Sequence, residues 1–435
     1  MIQNICQRKI VMILFLSLLF IIPVYGQIPD SIQGPIPIWS NQTGVHDIQV
    51  QCSSDGRYVV TGSDTGILRM YNQEGKTLWS FKRDDQMVRS VSISGNGDYV
   101  GAVFLNPEGP SYYAGGAIFV FNRTGSVLWN YTCDYTVEHV AISDNGNTIY
   151  ASGTPNLYSF DRNGTLIGQN ESDGRTWVLR AAGDGSYAVA GGTIMEKVHI
   201  AGSNLWANQI SVFERNGTIS WRYPTRQSIN SIGISSDMTT IVTAARYQFS
   251  SFSCNGTLMW QLNSDPDISS IAVSSDGGYT AAGTQFYVAL YDRAGAVLWK
   301  YKHSPEIRSA GISDDGNVIV AGGSTGVYVL NRTGALLWHY GTPKSVSHVS
   351  VARNGEYFAV STPDTTYFFN RWGNATVPEP EGTPAVSYGG AEHNLTLGNT
   401  VQGTTQSSPV SSVVPVVALM ICTGFLWRFI GKRDD

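Results

Sequence analysis

The chain has 435 residues, 42% of them apolar and only 14% charged, against about 25% charged in ordinary soluble domains. That apolar content excludes a disordered chain, a net charge of −5 offers nucleic acid no basic surface, and five cysteines are too few for a disulfide scaffold or a cysteine-rich metal protein. At about 150 residues per domain, length alone suggests three domains.

Residues 1–26 read as a secretory signal. Arg8 and Lys9 form a positive segment, and Ile10 to Val24 is apolar apart from Ser17 and Pro23. Tyr25-Gly26 before Gln27 is then a weak small-residue cleavage site. The alternative is an uncleaved N-terminal anchor.

From residue 36 to residue 377 the chain repeats itself. Each copy holds an alternating strand, an Asx-Gly turn, a second strand, and later a turn ending in Gly before a strand with Trp. One copy runs from Ile312 through Ser313, Asp314 and Asp315 to Gly316, and on to Gly334 and Trp338. The first turn is centred on Asp55, Asn96, Asn145, Asp184, Asp237, Asp276, Asp315 and Asn354, with spacings of 41, 49, 39, 53, 39, 39 and 39. Seven of the eight are followed by Gly and one by Met238. Asx-Gly between alternating apolar runs is a strong hairpin signal. The second turn ends in glycine in all eight copies, from Gly75 to Gly373, as a left-handed backbone position requires. In the seventh copy the pattern predicts strands over 308–313, 318–322, 326–330 and 335–339. Four-stranded antiparallel units repeating every ~40 residues make an all-β propeller, and eight copies predict eight blades over 36–377.

The outer-strand tryptophans also predict how the ring closes. Trp79, Trp129, Trp221, Trp260, Trp299 and Trp338 occupy the same place in their copies, with Gly168 in the third and Val377 in the last. Trp39 stands 16 residues before Asp55, as Trp129 does before Asn145 and Trp338 before Asn354. Residues 37–40 are therefore an orphan fourth strand, expected to complete the last blade and remove the open edges. The alternative is seven blades and a decayed copy.

After the repeats, residues 378–412 are rich in Pro, Gly, Ser and Thr and read as a stalk. Val413 to Ile430 is a largely apolar 18-residue stretch whose one charge is Arg428, near the lower limit for crossing ~30 Å of hydrocarbon. Lys432 and Arg433 put the tail, 431–435, on the cytoplasmic side. The expected arrangement is a propeller outside the cell membrane, held by a single C-terminal transmembrane helix.

The run Phe121 to Trp129 and its relatives resemble the quinoprotein-like (PQQ-like) propeller repeat, in which a Gly turn leads to a strand whose Trp docks between blades. The Ser-x-Asp-Gly turns look like those of WD-repeat propellers. The resemblance covers 36–377, and a glycosylated, C-terminally anchored propeller is similar to archaeal surface proteins. Quinoprotein dehydrogenases of this fold are implied to use a quinone with calcium, a catalytic Asp and often adjacent cysteines. No two cysteines are adjacent here, and the family's cofactor residues cannot be carried onto particular positions, so no cofactor and no catalytic residue is expected.

A propeller separates two faces. The strand 1–2 and strand 3–4 turns, tight and repetitive, lie on one; the strand 2–3 loops and blade connections lie on the other. Both large insertions fall in strand 2–3 loops: 105–116, with Tyr112 and Tyr113, and 193–208, with Trp206. Long loops on a rigid scaffold concentrate function, although tolerated drift explains them as well. The same face carries two variable polar columns at the start of the inner strands. The first is Ile48, Arg89, Glu138, Trp177, Asn230, Ser269, Arg308 and Ser347; the second is Gln49, Ser90, His139, Val178, Ser231, Ser270, Ser309 and His348. Candidate binding residues are Arg89, Glu138, His139, Trp177, Arg308 and His348, with Tyr112, Tyr113 and Trp206; a merely solvated rim is the alternative.

Ten Asn-x-Ser/Thr sequons occur, and Asn122, Asn163, Asn216, Asn255 and Asn331 sit in strand 3–4 turns, where they are glycosylation candidates. Their residue types also make good turns. Cys52 occupies a core position and is expected to be buried and free. The seven histidines lack metal-ligand spacing, and no nucleophile elbow or phosphate loop occurs. The leading reading is a non-catalytic cell-surface binding or scaffold module for protein or glycan partners, engaged through the insertion face. The alternatives are a quinone- or metal-dependent oxidoreductase using the central mouth and a structural envelope component without a ligand.

Overall fold

The computed structural model describes residues 36–42, 47–106, 115–171, 174–200, 203–264, 266–302 and 306–372, with the backbone alone at 47–48, 194–200 and 203–207. Among them are eight separate four-stranded antiparallel sheets and no helix. Blades 1 to 7 follow one another at 47–82, 87–133, 137–171, 174–225, 231–263, 268–302 and 307–341. Blade 8 takes three strands from His348–Val351, Tyr357–Ser361 and Thr365–Asn370 and its outer strand from Trp39–Gln42, with Trp39 opposite Phe368. The closure is the one that the tryptophan spacing predicts, with the strand starting two residues later than expected. The signal, the stalk and the span at 413–430 lie outside the described residues. Among the described residues no helix is long and apolar enough to cross a membrane.

The turns account for the glycine. In blade 7 the Ser313 hydroxyl donates to Asp315 Oδ1 at 2.6 Å and accepts the Val318 N–H at 3.0 Å, and Gly316 closes the turn at φ 69°. In blade 5, Met238 holds φ 60° in place of glycine. The conformational cost there is offset by burying the thioether in the core between blades 4 and 5.

The second-turn glycines make room for the tryptophans. A Cβ on Gly125 would stand 2.5 Å from the Trp79 ring, and one on Gly334 2.7 Å from Trp299. Trp39, Trp79, Trp129, Trp221, Trp260 and Trp299 each pack on the glycine turn of the next blade. The indole Nε1–H donates to a carbonyl of the next blade's turn: Trp39 to Gln73 at 3.1 Å, Trp79 to Arg123 at 3.0 Å, Trp338 to Arg371 at 2.8 Å. The core is accordingly built across seams: Val60, Leu68 and Met70 of blade 1 pack with Val88, Val91 and Phe104 of blade 2.

On the tight-turn face the blades are also joined backbone to backbone around the channel. Ser54 N–H donates to the Gly95 carbonyl, Gly95 to Asp144, Asp144 to Gly183, Ser236 to Ser275, Ser275 to Asp314, Asp314 to Arg353, and Arg353 back to Ser54, all at 2.8–3.0 Å. The seam between blades 4 and 5 lacks this link among the described residues. Arg353 also pairs with Asp144 and, at 3.8 Å, with Asp314. The backbone ring and this ion-pair bridge narrow the channel at that end.

Candidate functional site

Six inner strands carry a β-bulge at one place, the register shifting between Asp47 and Gln49, Val88 and Ser90, Val137 and His139, Thr176 and Val178, Ile268 and Ser270, and Ile307 and Ser309. The skipped residues are Ile48, Arg89, Glu138, Trp177, Ser269 and Arg308, the first polar column. A bulge takes its residue out of the ladder and re-aims the side chain. This column varies because no pleat partner constrains it.

The serines of the second column are structural. Ser90 Oγ accepts the Val140 N–H at 3.2 Å, Ser231 that of Ile271 at 3.1 Å, Ser270 that of Ala310 at 3.1 Å and Ser309 that of Val349 at 2.9 Å. An inner strand is a sheet edge with free N–H groups, and in these blades a serine of the preceding blade satisfies one of them. Ser92 and Ser350 do the same two residues further along, for Ile142 and Cys52.

Glu138 is likewise engaged. It is 5% exposed, with Arg175 Nη2 at 2.5 Å from Oε1 and Nε at 3.2 Å from Oε2. It braces blade 3 against blade 4. The Arg175 guanidinium lies 4.2 Å from the Trp177 ring centre. Trp177 Nε1–H donates to Thr193 Oγ1 at 2.9 Å, and the hydroxyls of Thr193 and Ser228 both donate to Asn208 Oδ1, at 3.0 and 3.1 Å.

This network secures the foot of an arm. The 193–208 insertion, expected as a long loop, instead continues strands 2 and 3 of blade 4: Tyr187–Ile200 pairs with Ser203–Glu214, Lys197 facing Trp206 and Ile200 facing Ser203. Its β-branched residues suit strand extension. Trp177 is 41% exposed at the arm's foot. Two aromatics that the sequence reading passed over share its face: Tyr247 (49% exposed) and Phe286 (52%), in the strand 2–3 turns of blades 5 and 6. Thr325 stands at their place in blade 7, so an aromatic in an otherwise polar turn was the available signal. A groove of about 580 Å³ between blades 4 and 5 is lined by Tyr223, Arg226, Gln227, Tyr247, Gln248 and Gln261. Arg308 stands exposed on the rim, 3.5 Å from Glu306. Tyr112 and Tyr113 lie outside the described residues, and Trp206 is placed by its backbone.

His139 and His348, which the repeat places apart on the ring, both feel the charge of Arg180 of blade 4. Burial, with Arg89, Arg180 and Arg175 nearby, pushes the His139 imidazole down to about 3. Burial and Arg180 push His348 down to about 4. Both are neutral at pH 7. Arg180 was missed because the deeper inner-strand positions read as core, yet its own column is small or polar elsewhere, as at Gly233, Ala272 and Ser350.

These donors do not fit a calcium–quinone pair, because the channel supplies guanidinium and imidazole groups while Glu138 is already bound by Arg175. Among the described residues no three His, Cys, Asp or Glu side chains are grouped to hold a metal. Cys52, Cys133 and Cys254 are unpaired, the first two buried as expected for Cys52. Burial pushes the Cys52 thiol up to about 11.

A family model described as outer membrane protein assembly factor BamB matches residues 37–223 and 285–377. No curated protein matches the chain. Among solved structures, the crystal structure of BamB from Moraxella catarrhalis is similar at 15% identity and a TM-score of 0.56, covering 78% of this chain and 100% of that one. Chaetomium thermophilum Sqt1, bound to the N-terminus of the ribosomal protein L10, is similar at 14% identity and a TM-score of 0.61, with the same coverage. At such identities these two likenesses are of fold.

Proposed function

Since the chain belongs to the family described as outer membrane protein assembly factor BamB, we propose that it is a non-catalytic scaffold propeller that holds a protein partner on its arm-bearing face. The observation that carries this reading is the blade 4 arm, footed by the Glu138–Arg175–Trp177–Thr193–Asn208 network and flanked by the exposed rings of Trp177, Tyr247 and Phe286. Rigidly mounted aromatic side chains suit the centre of a protein interface. The neighbour crystallised with the N-terminus of L10 supports a protein partner for a propeller of this kind. The sequence at 1–26, 378–412 and 413–430 supports a place on the outer side of the cell membrane, on a stalk and one transmembrane helix.

The test is photo-crosslinking in native membranes from benzophenone side chains at positions 247 and 286, against position 372 on the opposite face. The reading expects one discrete protein adduct from 247 and 286, absent from 372 and lost when 194–207 are deleted. Equal adducts from all three positions, or an adduct indifferent to the deletion, would overturn it.

A further inference from the structure

The central channel holds positive charge without a counter-charge. Arg180 lies on the inner strand of blade 4, Gly174–Ala181, which borders the channel, and it acts electrostatically on His139 in blade 3 and on His348 in blade 8, opposite in the ring. It is solvent-exposed, and Nη1 donates to its neighbour's carbonyl, Leu179 O, at 3.0 Å. Arg89, half-buried on the rim, acts on the same His139. Among the described residues neither arginine has a carboxylate within ion-pair distance. The nearby acids are taken: Glu138 by Arg175, and Asp144 and Asp314 by Arg353.

A further donor points the same way. Gln49 Nε2 lies 3.3 Å from His348 Nε2. With the Gln49 amide nitrogen as the donor, His348 Nε2 accepts and the imidazole proton sits on Nδ1. Nδ1 is buried and has no partner among the described residues. A buried donor without an acceptor is costly, a guanidinium without a carboxylate partner attracts an anion, and one oxyanion would serve both. The opposite end of the channel is narrowed by the backbone ring and by Arg353, which leaves the arm-bearing face as the wide approach.

We propose that this channel is an oxyanion site, in which one carboxylate or phosphate-type group is bound by Arg180 with Arg89 and His348. Two sources share this chemistry: a free anion, or an acidic side chain of a bound protein. The second source rests on the scaffold reading above.

The test uses the full chain in detergent at pH 7. Acetate, phosphate, an acetylated Gly-Gly-Glu-Gly-Gly amide and its Gln counterpart are titrated at ionic strength matched with sodium chloride, by calorimetry and by thermal shift. The proposal expects saturable binding of at least one oxyanion probe, weakened tenfold or more in Arg180→Gln and several-fold in His348→Gln, and unchanged in Arg308→Gln. Because Arg180→Gln removes an unpaired cation, its melting temperature without added oxyanion should equal or exceed that of the native chain, which separates lost binding from lost folding. Binding of the Glu peptide but not the Gln peptide assigns the site to a partner's carboxylate. Binding of the free ions alone assigns it to those ions and refutes the partner source. Saturable oxyanion binding that Arg180→Gln leaves intact, or none in the native chain, overturns the proposal. None of these results depends on deleting the arm, so failure here and failure of the scaffold reading are distinguishable.

Discussion

The Ser159 hydroxyl donates to the Arg215 carbonyl at 2.7 Å, where every other seam uses a tryptophan indole. Seven such indole bonds run from Trp39, Trp79, Trp129, Trp221, Trp260, Trp299 and Trp338. Blade 3 has Gly168 in the tryptophan's place and compensates in two ways. Ser159, on the neighbouring strand, supplies the donor. The blades also close up, so that a Cβ on Gly168 would stand 2.0 Å from the Asn216 carbonyl oxygen. Gly168→Trp, although it restores the repeat's usual residue, is therefore expected to destabilise, and Gly168→Ala to cost about 1–3 kcal/mol through backbone displacement. Ser159→Ala should cost about 1 kcal/mol for the lost hydrogen bond. Urea unfolding at neutral pH checks all three. A stabilised Gly168→Trp would show that this seam can reopen to take an indole.

The serine contacts between inner strands make a second prediction. Ser270→Ala leaves the Ala310 N–H without its acceptor and should cost about 1–2 kcal/mol. Ser269→Ala, one residue earlier at the bulge, should be near neutral. Equal costs at the two positions would mean that the inner-strand edge is satisfied some other way.

The blade count, the closure and the tight turns were legible in the sequence because each rests on a local requirement that recurs. Gly75, Gly125 and Gly334 must adopt positive φ, and Trp39 keeps its distance from Asp55 although it belongs to the last blade. The site was less legible because its determinants are not local. Glu138 looked free until Arg175, 37 residues away, was placed on it. The roles of Ser90 and Ser270 depend on N–H groups of the following blade. The bulge that frees Arg89 and Trp177 from the ladder leaves no mark in composition, and the arm looked like a loop because only its backbone pairing makes it a hairpin.

Ring closure depends on Trp39. Its ring is 9% exposed, stacks on Phe368 with centroids 5.5 Å apart, and its Nε1–H reaches the Gln73 carbonyl of blade 1. Trp39→Ala should cost about 3–5 kcal/mol and unlatch the outer strand of blade 8. Hydrogen exchange should then rise first at 365–370, the partner strand, before the rest of the ring. Uniform exchange across all blades would count against a latch.

Four asparagines of the strand 3–4 turns share one side-chain contact, at two different turn positions. The Thr124 hydroxyl donates to Asn122 Oδ1 at 2.8 Å, Thr218 to Asn216 at 2.7 Å, Thr257 to Asn255 at 2.9 Å and Thr333 to Asn331 at 2.7 Å. Oδ1 is engaged in each, and among the described residues Nδ2 has no hydrogen-bond acceptor. Expression through a glycosylating secretory route should therefore modify these four together with Asn163, on the face opposite the arm. Glycopeptide mapping that found these turns bare while other sequons were occupied would sink the expectation.

Acid should weaken the protein through its channel histidines. His139 and His348 are held at about 3 and about 4 in the folded chain, chiefly by burial, against about 6.5 in the unfolded chain. Below pH 6.5 the unfolded state then binds protons that the native state does not, and stability falls as pH falls, until the folded values are reached. Each imidazole contributes roughly 2 kcal/mol of lost stability between pH 7 and pH 5. His139→Gln/His348→Gln removes both titrations, so the native chain should lose roughly 4 kcal/mol more than the double variant over that interval. Taking the difference between the two proteins cancels the carboxylates that titrate in both. Parallel stability curves from pH 7 to pH 5 would show that the imidazoles are solvated and protonate freely in the folded ring. Acetate or phosphate bound beside Arg180 would instead favour the charged imidazoles, so the acid loss should shrink when those anions are added.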